Sequence, residues 1–174
     1  TRGTMVKKNI LVTAGILGIF VLLSYVIYIP KVNEHASFFQ HPLWLKLPPA
    51  TVSLFVFFQA LAAIGFILFV IDAEMGRSSE KYYKNCIVLV AVFLISSCFW
   101  APLSVKYLNS KKLVYKALSS LVLVVAAAAC VLLLALSVEE EKPRTFSVLG
   151  LLLLSTTVVL GDAVCWNARL IKRF

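Results

Sequence analysis

Asp162 carries the sharpest chemical signal in the sequence. It is a carboxylate set inside an otherwise apolar run, directly after Gly161. A charge in hydrocarbon is costly, so such a residue marks a ligand, ion or proton site unless it lies near the headgroups or pairs with a neighbouring helix. Arg169 is seven residues on and shares the face, but it lies about 10 Å along a helix axis, which argues against a direct pair. The functional and the structural readings of Asp162 both stand at this point. Gln59, in another apolar run, can hydrogen-bond between helices. His35 and His41 sit six residues apart in a connecting segment. They could ligate a metal or a tetrapyrrole iron, although histidines so placed are more often solvated interface groups. No apolar run contains a histidine, which excludes an intramembrane bis-histidine haem site within the chain. Cys86, Cys98, Cys130 and Cys165 form no CxxC pair and read as small packing residues rather than a zinc site or a disulfide framework. There is no Ser-His-Asp candidate, no Cys-His pair, no HExxH and no Gly-rich phosphate loop, so no catalytic constellation and no metal site is expected.

The elements that must hold these groups follow from composition. The 174 residues are 61% hydrophobic and 14% charged, with mean hydropathy +0.94. A soluble domain has about 45–50% apolar and about 25% charged residues. Lipid must therefore solvate much of this surface. Five apolar runs are legible, at about 9–29, 50–71, 86–105, 114–137 and 146–171. Each approaches the ~20 residues that a helix needs to cross ~30 Å of hydrocarbon. In lipid every backbone polar group must be paired internally, and separate runs of this length can do so only as helices. The expectation is an all-α, integral membrane five-helix bundle forming a single membrane domain over residues 1–174. The first run is longer than a cleaved signal and lacks a small-x-small site, so it reads as a retained helix; the start at Thr1 leaves room for a removed upstream segment.

The net charge of +9 does not point to nucleic acid, because the basic residues lie between runs and at the two ends, where they anchor helices at headgroups. Lys and Arg number eight on the N-terminal side and nine on the other, a small bias placing the C-terminus in the cytosol. The first connection, residues 30–49, holds Pro30, Pro42, Pro48 and Pro49 with Phe38, Phe39 and Trp44. It reads as an ordered loop with an aromatic interface anchor. Pro48-Pro49 suits the first turn of a helix, and Pro102 should kink or end the third helix.

Gln40-His41-Pro42-Leu43-Trp44, followed by Pro48-Pro49, resembles the Lys-Pro-x-Trp-x-Pro-Pro signature of the translocator protein family (TspO, the tryptophan-rich sensory proteins), with two extra residues before the proline pair. The similarity continues through Val52, Val56, Phe57, Leu61, Ile64 and Gly65, with Phe57 where the family has Trp. It extends to Phe99-Trp100-Ala101-Pro102-Leu103, to the Ala126–Ala129 run and to Trp166-Asn167. It covers roughly residues 38 to 174. The chain departs in having only three tryptophans, in Lys112 where the family has a Trp, and in lacking the Tyr of the cholesterol-recognition stretch. Val105-Tyr107-Lys111 fits the loose cholesterol pattern elsewhere. Asp162 has no counterpart in the family.

The resemblance implies a five-helix TspO-like fold and a pocket between helices, lidded by the loop around Trp44. The ligand it implies is a porphyrin, another tetrapyrrole or a sterol, with no covalent cofactor and no catalysis. The residues it places at the ligand are Trp44, Phe57, Trp100, Ala163, Trp166 and Asn167; Pro42, Pro48, Pro49, Gly65 and Pro102 would be structural. The alternative is a non-catalytic accessory subunit of a larger respiratory or photosynthetic membrane complex that keeps this scaffold. Expected partners are the lipid bilayer and either a second copy or the subunits of such a complex. The expected location is a multi-pass position in an organellar membrane, mitochondrial or plastid.

Overall fold

The computed structural model describes residues 2–32, 41–44, 47–75, 78–139 and 145–168. His35, Arg169 and the expected end of the fifth run at Ile171 lie outside them. The described residues form an all-α bundle of five helices: α1 Arg2–Tyr28, α2 Pro49–Met75, α3 Glu80–Ser110, α4 Leu113–Glu139 and α5 Thr145–Thr156. α5 continues as a π-helical segment, Thr157–Trp166. Short 3-10 turns occupy Ile29–Lys31 and Pro42–Trp44. All five helices are long and apolar enough to cross a membrane. The protein is thus built as a multi-pass integral membrane protein.

Most helices outrun the apolar stretches that announce them. α3 begins six residues before Cys86 and ends five residues after Val105. At 27 residues, α2 is about 40 Å long, against ~30 Å of hydrocarbon. The polar ends stay helical because headgroup-depth residues still satisfy their backbone through the helix. Ser79 caps α3, its side chain accepting from the Tyr82 N–H at 3.1 Å, and Glu80 pairs with Lys84 one turn on at 2.8 Å. α3 closes on Lys111 in the left-handed conformation (φ 56°), whose N–H donates to the Tyr107 carbonyl at 2.8 Å. Pro102 does not end α3, which runs eight residues further. Pro49 opens α2, and the carbonyl of Pro48 accepts from the N–H groups of Thr51 and Val52.

α3 packs against α4 and α1, and α2 packs against α5, which also meets α4. Burial of apolar surface gives little drive inside lipid, so close packing and interhelical hydrogen bonds must hold these pairs. α2 and α5 run antiparallel and nearly touch at Gly65 and Gly150. A Cβ on Gly65 would lie 2.5 Å from the Gly150 carbonyl oxygen, and one on Gly150 would strike the carbonyl of Gly65. At one end of this pair the Asp72 carboxylate accepts from the Ser147 hydroxyl at 2.6 Å and from the Ser147 N–H at 3.2 Å. It thereby satisfies a first-turn N–H of α5 and meets the positive end of that helix. α3 and α4 are joined through Ser104 and Ser119, whose fully buried hydroxyls lie 2.7 Å apart, and through Tyr82 and Ser137 at 3.1 Å. The small buried side chains Ala126, Ala127 and Ala129 bring the neighbours of α4 close.

The outward faces are apolar. Val26 is 71% exposed, Phe146 68% and Leu22 65%. A surface of this kind is stable in hydrocarbon and not in water. Among residues 9–28 of α1, whose side chains are described, only Ile10 and Ala14 are buried, which places this part of α1 at the periphery.

Two stability measurements follow. Gly150→Ala should destabilise the reconstituted protein by about 1–3 kcal/mol in reversible detergent unfolding. Gly18→Ala, at a position with open space around it, should leave stability within about 0.5 kcal/mol of the parent. A double-mutant cycle on Ser104→Ala and Ser119→Ala should return a coupling of about 0.6–2 kcal/mol. Strict additivity would mean that the two hydroxyls do not support each other.

Candidate functional site

The bundle opens into a cavity at the end where α1 and α5 finish and α2 begins. Its volume is about 380 Å³. Each wall comes from a different element. α1 supplies Tyr25 and the 3-10 turn after it Ile29, the loop supplies His41, Leu43, Trp44 and Leu47, and α2 supplies Thr51, Phe55, Val56 and Gln59. α3 supplies Trp100, and the π segment supplies Gly161, Asp162, Cys165 and Trp166.

Three of the six residues expected at the ligand therefore meet around one space: Trp44, Trp100 and Trp166. They are also the only tryptophans in the chain. Trp100 and Trp166 stand edge to face with ring centres 5.3 Å apart, and Tyr25 stands edge to face on Trp100 at 5.8 Å. Trp44 stands edge to face on Phe55 at 6.1 Å. The indole N–H groups of Trp100 and Trp166 are buried and have no hydrogen-bond partner among the described residues. Two such donors in one wall are unusual and call for acceptors.

The other three expected residues are not on the wall. Phe57 is 56% exposed on the outer face of α2, against Phe58 at 5.9 Å. Phe55 takes the inward position. Two residues along a helix turn the side chain by about 200°, so a shift of two in register separates wall from outside. Ala163 is buried within the bundle, and its carbonyl accepts from the Asn167 side-chain amide at 2.7 Å. Of the structural residues, Pro42 is buried in the loop turn beside the cavity, and Gly65 marks the α2–α5 crossing. In the stretch that fits the cholesterol pattern, Val105 and Tyr107 are buried inside the bundle, away from any lipid-borne sterol.

Asp162 faces this cavity. Gln59 donates to its Oδ1 at 3.5 Å, across the α2–α5 interface. Among the described residues no Lys or Arg pairs with it. Its described partner on a neighbouring helix is Gln59, so the structural reading of Asp162 as a carboxylate paired between helices stands beside the functional one. His41 also lines the cavity, but both its ring nitrogens are engaged. Nδ1 lies 3.3 Å from the Leu43 N–H, which fixes it as acceptor, and Nε2 lies 3.2 Å from the Ile29 carbonyl, to which it donates. The histidine thus stitches the loop to the end of α1, and a metal would have to break one of these bonds. Gly161 gives room to the ring of Phe55: a Cβ there would lie 3.0 Å from two of its carbons.

The π segment positions the fifth wall. Its wider turn carries Gly161, Asp162, Cys165 and Trp166 onto one side, and π geometry of this kind recurs at functional sites. No residue pattern in the sequence announces it. Tyr25 and Phe55 carry no mark in the sequence and Val56 only its place in the resemblance, because in an apolar helix the cavity face and the lipid face use the same residue types. If His41 is the loop's tether, His41→Ala should raise amide hydrogen exchange at Leu43 and Trp44 at least tenfold. Exchange in the middle of α3 should not change.

No protein-family model, characterised protein or solved structure matches this chain.

Proposed function

We propose that this protein is a TspO-like, non-catalytic membrane protein that binds a hydrophobic ligand between its helices, at the loop end of the bundle. The ligand class that the resemblance implies is a tetrapyrrole or a sterol, and an organellar membrane, mitochondrial or plastid, is its proposed setting. The observation that carries the reading is the convergence of all three tryptophans, from the loop, α3 and the π segment, on one cavity. Its volume lies at the lower end of the ~300–1,000 Å³ of small-molecule pockets, and it has their usual make-up of apolar and aromatic walls with a few polar groups. Aromatic faces and edges suit a flat or ring-built ligand. The free indole N–H groups of Trp100 and Trp166 offer donors to an acceptor oxygen such as a propionate or a hydroxyl. The accessory-subunit alternative draws on the apolar outer faces, but lipid suits those faces as well as partner helices do. The cavity supports the ligand-binding reading.

The test uses the chain's own fluorophores. Because every tryptophan borders the cavity, emission reports on this site alone. Titration of the protein in nanodiscs with protoporphyrin IX should give saturable quenching, and Trp166→Ala should weaken the affinity at least tenfold with helicity unchanged. Quenching that rises linearly without saturation would remove the ligand-binding reading.

A further inference from the structure

The polar chemistry of the cavity has a sign. Among the described residues its walls contain a carboxylate, Asp162, and no Lys or Arg. His41 has both ring nitrogens engaged by the backbone. The carboxylate has one long contact, to the Gln59 amide at 3.5 Å. A carboxylate held in apolar surroundings stays ionised only beside an opposite charge or several short hydrogen bonds; one long contact supplies neither, so a bound cation is the partner that would keep it charged. The aromatic walls act in the same direction. Tyr25, Trp44, Phe55, Trp100 and Trp166 surround the same space. Any ring face that a ligand meets there carries the negative end of the aromatic quadrupole and attracts a cation, Trp most strongly. A carboxylate and an aromatic box around one cavity are together the recognition chemistry of a positively charged nitrogen.

We propose that the cavity selects ligands bearing a cationic nitrogen, a protonated amine or a quaternary ammonium, seated between Asp162 and the tryptophan rings, with the apolar remainder against α1 and α2. The proposal rests on the reading of the cavity as a ligand site but not on the tetrapyrrole or sterol class, neither of which carries a cationic nitrogen. Gln59 then acts as a positioning residue, holding the carboxylate from the α2 side. A ligand that also carries an acid would turn it toward the indole N–H groups and away from Asp162.

The experiment compares two probes of nearly the same shape. Benzyltrimethylammonium carries the charge; neopentylbenzene replaces its nitrogen with carbon. Each is titrated against the full chain in dodecyl maltoside micelles, which have no surface charge to concentrate the cation. Tryptophan emission is the readout, and affinities are corrected for partition into the micelle. The expected result is at least tenfold tighter binding of the cation in the parent protein. Asp162→Asn should remove that preference, and Asp162→Glu should retain most of it. Equal affinities in the parent, or a preference that survives Asp162→Asn, would overturn the charge assignment while leaving the pocket as a binder of neutral ligands. If neither probe changes the emission, the binding reading falls together with the charge assignment. Should Asp162→Asn fail to fold, the comparison in the parent protein still decides the matter.

Discussion

The near contact of α2 and α5 at Gly65 and Gly150 is the fixed point of this molecule. Two helices approach so closely only where neither has a side chain. Lipid tails are as apolar as the helices, so water does not drive the two together, and the contact itself must hold the pair. From that crossing the pair is held in both directions. Toward one end the Asp72 carboxylate grips the first turn of α5 through Ser147. Toward the other the helices separate enough to admit Phe55 beside Gly161 and to leave Gln59 facing Asp162 across the gap. The cavity is what remains between helices that are fastened elsewhere.

The second pair serves a different end. α3 and α4 are joined by the buried hydroxyls of Ser104 and Ser119 and by the half-buried contact of Tyr82 with Ser137. These bonds fix the rotation of α3 about its axis, and that rotation aims Trp100 at Trp166 and Tyr25. The loop that follows α1 is then placed by His41, which binds the α1 end with one nitrogen and its own turn with the other. Local satisfaction of polar groups thus sets the position of an aromatic box that has no covalent frame.

How much of this the sequence discloses depends on what lipid does to patterns. Element lengths survive well, because hydrocarbon thickness sets them, and all five helices are legible as apolar runs. Landmark residues also survive. Trp44, Trp100 and Trp166 stand out because indole is rare in this chain, and they do line one space. Facing is lost. In a soluble helix the buried side announces itself by apolar periodicity, but here both sides are apolar, so Phe57 looks as good as Phe55. A shift of two residues separates them, and only the packed structure resolves it. The backbone widening at 157–166 is likewise silent in the residues, because i→i+5 bonding requires no residue type. Asp162 is legible as an anomaly, but its setting among aromatic rings and Gln59 is not.

That widened segment makes residue count, as well as residue identity, part of the site's code. A π turn holds one residue more than the α turn it replaces. A chain one residue shorter between Gly150 and Trp166 could relax that turn into ordinary helix and keep its tryptophan on the cavity side, because only the extra residue is lost. A chain of the same length that wound the turn as ordinary helix would instead carry everything after it round by roughly 100° about the axis. The indole would then look into the acyl chains, although an alignment would show no gap and count the tryptophan as retained.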